Sequence, residues 1–244
     1  MLGNTINVQI NPEPIYYGTS GGQQYTVRAG FAHDDSRVNT LHHILLFTTD
    51  EAGSCDSGSV RVKVMAVTEI EDKIYYICAH DGHMLFEPII REVLRDMPGL
   101  SSAQITCLYE KSCGAVIFRR HSGNVEYLLI KNKKGNNWGF PKGHMEIYET
   151  ERETAIREVK EETGLSIQPI KGFRTISEYH PKGRITKQVI FFIAEMTGED
   201  VVIQKSEIER FIWADYALAI KTFKFSNDKK VLAQAKSWIN DRLY

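Results

Sequence analysis

Apolar and polar positions alternate along the second half of the chain in a way that predicts strands and helices in turn. Cys113 to Arg119 and Tyr127 to Lys131 are short runs rich in Val, Ile and Leu, and they flank the turn-forming cluster His121-Ser122-Gly123-Asn124. That pattern predicts a hairpin. A polar loop over 132–142, carrying Gly135, Asn136 and Asn137, leads into a segment from Glu149 to Thr163 rich in good helix formers and closed by Gly164. One helix of about four turns is expected there, ended by a glycine that takes a left-handed conformation without steric cost. Strands are expected near 167–178 and 187–196, then a turn at Gly198-Glu199-Asp200 and a strand over 201–213 ending in Phe211-Ile212-Trp213. The tail from Ala214 to Leu243 predicts one or two helices, interrupted near Ser226-Asn227-Asp228, with Ser226 or Asn227 as cap of the second.

The first 110 residues alternate strand patterns with turns: Ile6 to Ile10, Tyr25 to Gly30, His42 to Thr48, Val60 to Thr68 and Lys73 to Cys78. A helix from Met84 to Arg95 follows, stopped by Asp96-Met97-Pro98-Gly99, and then a strand around 103–109. This is enough material for a separate small α+β domain over 1–110, packed closely against a second domain over 111–244 because little linker separates them. Gly18 to Gly22 lacks a phosphate-loop lysine and reads as a turn. His42-His43 point to opposite faces of a strand, and Asp81-Gly82 between His80 and His83 reads as a turn, so structural roles are expected for these histidines.

The helix over 149–163 carries the chemistry. At about 100° per residue, Glu158, Glu161 and Glu162 share one face, while Ala155, Ile156, Val159 and Thr163 turn toward a neighbour that can be a sheet. Carboxylates at i, i+3 and i+4 repel, each adjacent pair costing a few tenths of a kcal/mol, so the arrangement calls for a cation between them. Hard oxygen ligands of this kind select magnesium or manganese.

Gly143, Glu149, Arg157, Glu158, Glu161, Glu162 and Gly164, with aliphatic Val159 and Leu165, stand at the spacings of the Nudix box, and residues from about 112 to 240 resemble the Nudix hydrolases. The run Trp138-Gly139-Phe140-Pro141-Lys142-Gly143-His144-Met145-Glu146, the run Lys187 to Phe191, and Glu207 followed by Trp213 are similar to the asymmetric dinucleoside tetraphosphate hydrolases within that superfamily. Where many Nudix enzymes have a glycine before the first box glutamate, this chain has Tyr148. The resemblance implies an α-β-α sandwich with a mixed sheet, α+β in class. It implies that Glu158 and Glu162 bind metal, with Glu161 a further ligand, Glu149 in the supporting set and the Lys142 carbonyl an additional donor. It also implies that Arg157 orients Glu149. Glu158 or Glu207 is the expected general base for water attacking phosphorus.

A polyphosphate needs cationic side chains around it. Lys142 and Lys187 are the expected contacts, while Lys131, Lys133, Lys134, Lys182 and Arg184 are expected to be loop charges. Tyr179 is a candidate for stacking on a base. Trp138 is a candidate contact whose structural alternative is a plug beneath the loop.

With 30 Lys and Arg against 31 Asp and Glu, the net charge is -1, and no bulk field draws the chain to nucleic acid or a membrane surface. The expected partner is a nucleotide polyphosphate. Cys55, Cys78, Cys107 and Cys113 have no CxxC spacing, which fits buried thiols in a reducing compartment. The N-terminus has no apolar leader, and no stretch approaches the ~18 apolar residues of a bilayer span. A cytoplasmic, soluble protein is expected. Three functional readings follow: a magnesium-dependent hydrolase of diadenosine tetraphosphate giving ATP and AMP; a hydrolase of another diphosphate, such as an RNA 5′ end, a diphosphoinositol polyphosphate or a nucleotide sugar; and a non-catalytic nucleotide sensor. The first 110 residues could form a homodimer module.

Overall fold

The computed structural model describes residues 1–33, 41–49, 59–80, 82–181, 183–197 and 200–243. Cys55, Asp81, Lys182 and Gly198-Glu199 lie outside the described residues. The chain divides into two compact units, Met1–Glu110 with His180–Thr186, and Lys111–Tyr179 with Lys187–Tyr244.

The first unit contains β1 (Thr5–Ser20), β2 (Gln23–His33), β3 (Leu41–Thr48), β4 (Ser59–Ile70), β5 (Lys73–Ala79), α1 (Glu87–Val93) and β6 (Ile105–Cys107). Its strands run in the order β1-β2-β3-β5-β4-β6, and β1 also pairs with β4, so five strands close on themselves. β3 and β5 are parallel; the other pairs are antiparallel. Alternation sorts the side chains, as a pleat requires. Ile44 and Leu46 join Val8, Ala32, Val64 and Cys78 in one buried cluster drawn from all five strands. Leu45 and Phe47 face the other way and pack with Ile77, Ile90, Val93 and Leu94. The helix expected over 84–95 is shorter, because Pro88 sits in its first turn and Leu94 leaves helical geometry. Arg91 then holds the following turns through the carbonyls of Leu100 (2.7 Å) and Ala103 (2.8 Å). Gly18 to Gly22 forms the β1–β2 turn region, and His42 and His43 lie against Tyr76 and Tyr75 respectively.

The second unit is built on β7 (Tyr109–His121) from Lys111 onward, β8 (Asn124–Asn132), β9 (Trp138–Gly139), β10 (Lys142–His144), α2 (Glu151–Thr163), β11 (Thr175–Tyr179), β12 (Thr186–Glu195) from Lys187 onward, β13 (Ile208–Ala214), α3 (Tyr216–Thr222) and α4 (Ser226–Leu243). The sheet order is β11-β12-β7-β8-β13, with β10 added to β7 and β9 to β8. The β7–β8 hairpin is the one the apolar runs predict. Alternate residues of β7 feed two cores. Val116 and Phe118 pack with Leu129, Phe140, Phe191 and the Leu232, Ala235 and Ile239 side of α4. Ala115 and Ile117 pack with Leu128, Val159 of α2 and Leu165. Helices therefore cover both faces of one sheet, an α-β-α sandwich within an α+β chain.

Three expected elements differ. No strand forms over 167–174, where Pro169 and Gly172 interrupt a ladder; Ile167 and Phe173 are buried, but Ile170 N–H bonds Ile193 O at 2.8 Å instead. Residues 201–207 are not a strand either. Val202 N–H donates to Thr163 O (2.9 Å) and Gln204 N–H to Glu162 O (3.2 Å), so this segment spends its backbone on the end of α2. The break between the last helices falls at Phe223–Phe225, since Phe223 is an extended, buried residue; Ser226 is inside α4, and Asn227 Nδ2 donates to Glu178 O at 3.1 Å, so neither is the expected cap. No helix among the described residues is long and apolar enough to cross a membrane.

Burial pushes the Cys78, Cys107 and Cys113 thiols up to about 12, which suppresses the reactive thiolate. In a Cys55→Ser variant at pH 8, a thiol reagent should label no cysteine of the native protein within minutes and all three after denaturation. Rapid native labelling of any of them would contradict this packing.

Candidate functional site

Helix α2 starts at a capping box: Thr150 Oγ1 accepts from Glu153 N–H (3.3 Å), and Glu153 Oε2 accepts from Thr150 N–H (2.8 Å). The Glu153 carboxylate is thereby engaged at the cap. The helix ends on Gly164, whose φ of +74° and contact with Val202 fit glycine alone. Against the helix lies β10, paired with β7 through Gly143↔Cys113. A Cβ on Gly143 would sit 2.0 Å from the Glu158 carboxyl, so the glycine is what lets the strand lie on that carboxylate.

Arg157 is the centre of the acidic face. Its Nε and Nη2 form a fork on Glu149 (2.6 and 3.0 Å), Nη1 reaches Glu158 (2.7 Å) and Glu161 (3.2 Å), and Nη2 also donates to His144 O (2.8 Å). The Arg157 guanidinium thus offsets part of the carboxylate repulsion on this face. Among the described residues no three His, Cys, Asp or Glu side chains converge into a ready-made metal cage. Glu149 is further held by Thr154 Oγ1 (2.8 Å) and Glu146 N–H (3.1 Å).

The three helix glutamates have different environments. Glu161 is half-exposed. Glu158 is nearly covered, and burial raises its carboxyl above the usual range against the pull of Arg157. Glu162 is 5% exposed and pushed up to about 8, first by burial, with Lys142 N–H (2.7 Å) opposing and the charges of Glu158 and Glu207 adding. Glu149 is held low, chiefly by the Arg157 hydrogen bonds. Two covered carboxylates whose charged forms burial and mutual repulsion disfavour are a donor set that a hard divalent cation would complement.

The other expected residues divide. Tyr179 and Lys187 are register partners across β11 and β12, and Lys187 Nζ lies 3.0 Å from His144 Nε2. Lys142 is on β10 beside Glu162. Glu207, exposed on the segment tied to the end of α2, is close enough to raise Glu162. Tyr179 and Trp138 both pack against the core, with Arg210 5.5 Å above the Trp138 ring. Lys131 pairs with Glu209 (2.8 Å) and Lys133 with Lys205 O, which makes them loop ties. Arg184 bonds Leu2 O (3.4 Å) and Asn4 Oδ1.

Sequence reasoning passes over Thr154, the His144 ring and Asp228. Thr154 falls one turn after the cap and facing Glu149, a spacing that could have found it. Asp228 had no such signal. It is partly buried near Lys142, and burial pushes its carboxyl up to about 6.

Tyr148, at the position where a glycine was looked for, takes φ +69° and is exposed. Left-handed geometry costs a non-glycine residue roughly 1–2 kcal/mol, part of which glycine gives back through unfolded-chain entropy. Tyr148→Gly should raise stability by up to ~1 kcal/mol in denaturant unfolding; a loss would mean that the ring makes a contact of its own. For Asp228, a raised folded pKa favours the fold below about pH 4, and this contribution is lost as pH rises through about 6. Asp228→Asn should therefore stabilise by roughly 1–3 kcal/mol at pH 7.5 and by nothing near pH 3.5. Equal effects at both pH values would place the carboxyl in water.

The NUDIX domain model matches residues 108–235, more than half of the chain. The chain is 32% identical over 140 residues to the asymmetrical bis(5′-nucleosyl)-tetraphosphatase of Mus musculus, covering 53% of this chain and 95% of that protein. It is similarly related, at 32% over 140 residues, to the enzyme of the same name from Rattus norvegicus, with the same coverage. In three dimensions it is similar to the crystal structure of a C. elegans Ap4A hydrolase binary complex, with a TM-score of 0.52, 26% identity, and coverage of 54% of this chain and 98% of that one.

Proposed function

Because the chain belongs to the Nudix family and is a Nudix pyrophosphohydrolase, we propose that its substrate is a dinucleoside polyphosphate, with diadenosine tetraphosphate split asymmetrically to ATP and AMP. The observation that carries this reading is the likeness to asymmetrical tetraphosphatases over nearly their whole length, which takes in the residues flanking the box as well as the box. Family membership brings a divalent-cation requirement, and the carboxylate oxygens favour magnesium or manganese.

Glu158 and Glu162 would hold that cation, with Glu161 as a further ligand and the Lys142 carbonyl beside them. When bound, it supplies charge neutralisation on the leaving side and a more acidic water. Arg157 fixes Glu149 and Glu158 relative to β10, so these acids keep one geometry as charge develops. Glu158 or Glu207 takes the proton of the attacking water. Lys142 and Lys187 face the phosphate chain, and Tyr179, register partner of Lys187, stacks on a base. Trp138 supports the loop and completes the pocket wall. Residues 111–244 are the catalytic domain; residues 1–110 are a second domain with a separate role, for which a homodimer contact is one form.

Incubating the protein and magnesium with diadenosine tetraphosphate, a capped or triphosphorylated RNA 5′ end, a diphosphoinositol polyphosphate and a nucleotide sugar separates the hydrolase readings. Chromatography should show ATP and AMP in equal amounts from the tetraphosphate, at the highest kcat/KM of the panel. Glu162→Gln, close in shape to a carboxyl whose burial already favours its neutral form, should keep the melting temperature while lowering kcat by about a thousandfold or more. Retained turnover in that variant would remove Glu162 from the metal set, and tight nucleotide binding without turnover in the unaltered protein would favour a sensor.

A further inference from the structure

Among the described residues, the ionisable side chains lining a cavity of about 350 Å³ in the first unit include no acid. They are Lys63, Tyr109, His180 and Arg184, with Leu108 and Thr186 among the remaining wall. Lys63 Nζ donates only to the neutral Tyr109 hydroxyl (3.4 Å) and lies 5.9 Å from that ring's centroid. Arg184 Nη1 is held by two neutral acceptors, Leu2 O at 3.4 Å and Asn4 Oδ1. Among the described residues neither cation has a carboxylate partner. The His180 ring is set in place at Nδ1, 3.3 Å from Ile185 O and 3.2 Å from Thr186 Oγ1.

Cations gathered at one concavity repel one another, and no carboxylate among the described residues lines it to neutralise them. Neutral acceptors hold Lys63 and Arg184 in place without consuming their charge. That is the arrangement of a preformed anion site: point charge from the lysine, a planar fork from the arginine, and a hydroxyl and an imidazole beside them. The volume lies at the small end of small-molecule sites, and Leu108 with the Tyr109 ring gives it an apolar wall. We propose that this cavity, whose lining includes none of the box glutamates, Lys142 or Lys187, binds a small phosphate-bearing anion.

The test is calorimetric titration of the full-length chain, with a chelator present so that no cation bridges ligand to the glutamates, using inorganic phosphate and AMP as probes. The expected result is saturable binding with Kd below about 1 mM, weakened at least tenfold by Lys63→Gln and restored by Lys63→Arg. Lys63 is the residue to change because its one polar contact is a tyrosine hydroxyl, whereas Arg184 also fastens the N-terminal residues. Lys187→Gln should leave this binding as it was. Tighter binding of AMP than of phosphate would identify a nucleotide site using Tyr109, and equal binding a site for the phosphate group alone. Absence of binding to both probes up to about 10 mM, unchanged binding in Lys63→Gln, or loss of binding in Lys187→Gln would each overturn the proposal. These outcomes are independent of whether diadenosine tetraphosphate proves to be the substrate.

Discussion

The guanidinium of Arg157 meets two glutamates at the centre of the acidic face, a third at its edge, and the backbone of β10. Remove it, and Glu149, Glu158 and Glu161 are left as like charges on adjacent turns, each disfavouring the others. With it, the fork on Glu149 ties the start of α2 to its middle, and the bond to His144 O ties the helix to the strand carrying Lys142 and Gly143. A lysine could supply the charge, but it lacks the planar fork that lets one side chain serve Glu149 with two nitrogens while reaching Glu158 with the third. Gly143 is the complementary requirement, since the strand can lie against Glu158 only where no side chain intervenes.

The other end of α2 depends on a different device. Gly164 turns the chain so that Val202 and Gln204 can hydrogen-bond the carbonyls of Thr163 and Glu162, and this brings the segment bearing Glu207 beside the buried Glu162 carboxyl. One helix thus has an ionised, arginine-bound carboxylate near its start and a desolvated one near its end. Burial and hydrogen bonding, acting on the same residue type, separate their roles.

Much of this was legible in the sequence because it is local. The helix from its polar cap to Gly164, the β7–β8 hairpin and the five strand patterns of the first unit all follow from period and turn chemistry. What failed was where backbone partners came from far away. Ile167 to Phe173 and Val201 to Gln204 have strand-like apolar content, but their N–H groups answer to Ile193 and to the end of α2, pairings that no local window contains. The closing of β1 onto β4 is equally non-local. The shared face of Glu158 and Glu161 follows from the helix period; that one Arg157 guanidinium meets Glu149, Glu158, Glu161 and the His144 carbonyl does not, because that reach depends on how β10 docks. Asp228 was invisible for the same reason, an acid in a helix start whose burial comes from tertiary packing.

The distribution of constraint also explains why reaction class is easier to read than substrate. Glu149 and Arg157 are each hydrogen-bonded to several neighbours, Glu158 and Glu162 are covered, and a Cβ on Gly143 or Gly164 would crowd Glu158 or Val202, so these positions are specified by the fold and by the chemistry together. The residues proposed to meet the substrate lie at strand ends. Lys187 touches the His144 ring, and the Lys142 side chain is placed by one strand residue of backbone pairing. Side chains at strand ends can vary while the sheet and helix beneath them persist, which is how one fold can serve many diphosphates. On the proposed function, substrate choice would rest on a few cationic and aromatic side chains at strand ends, beside the frame that Arg157 holds together.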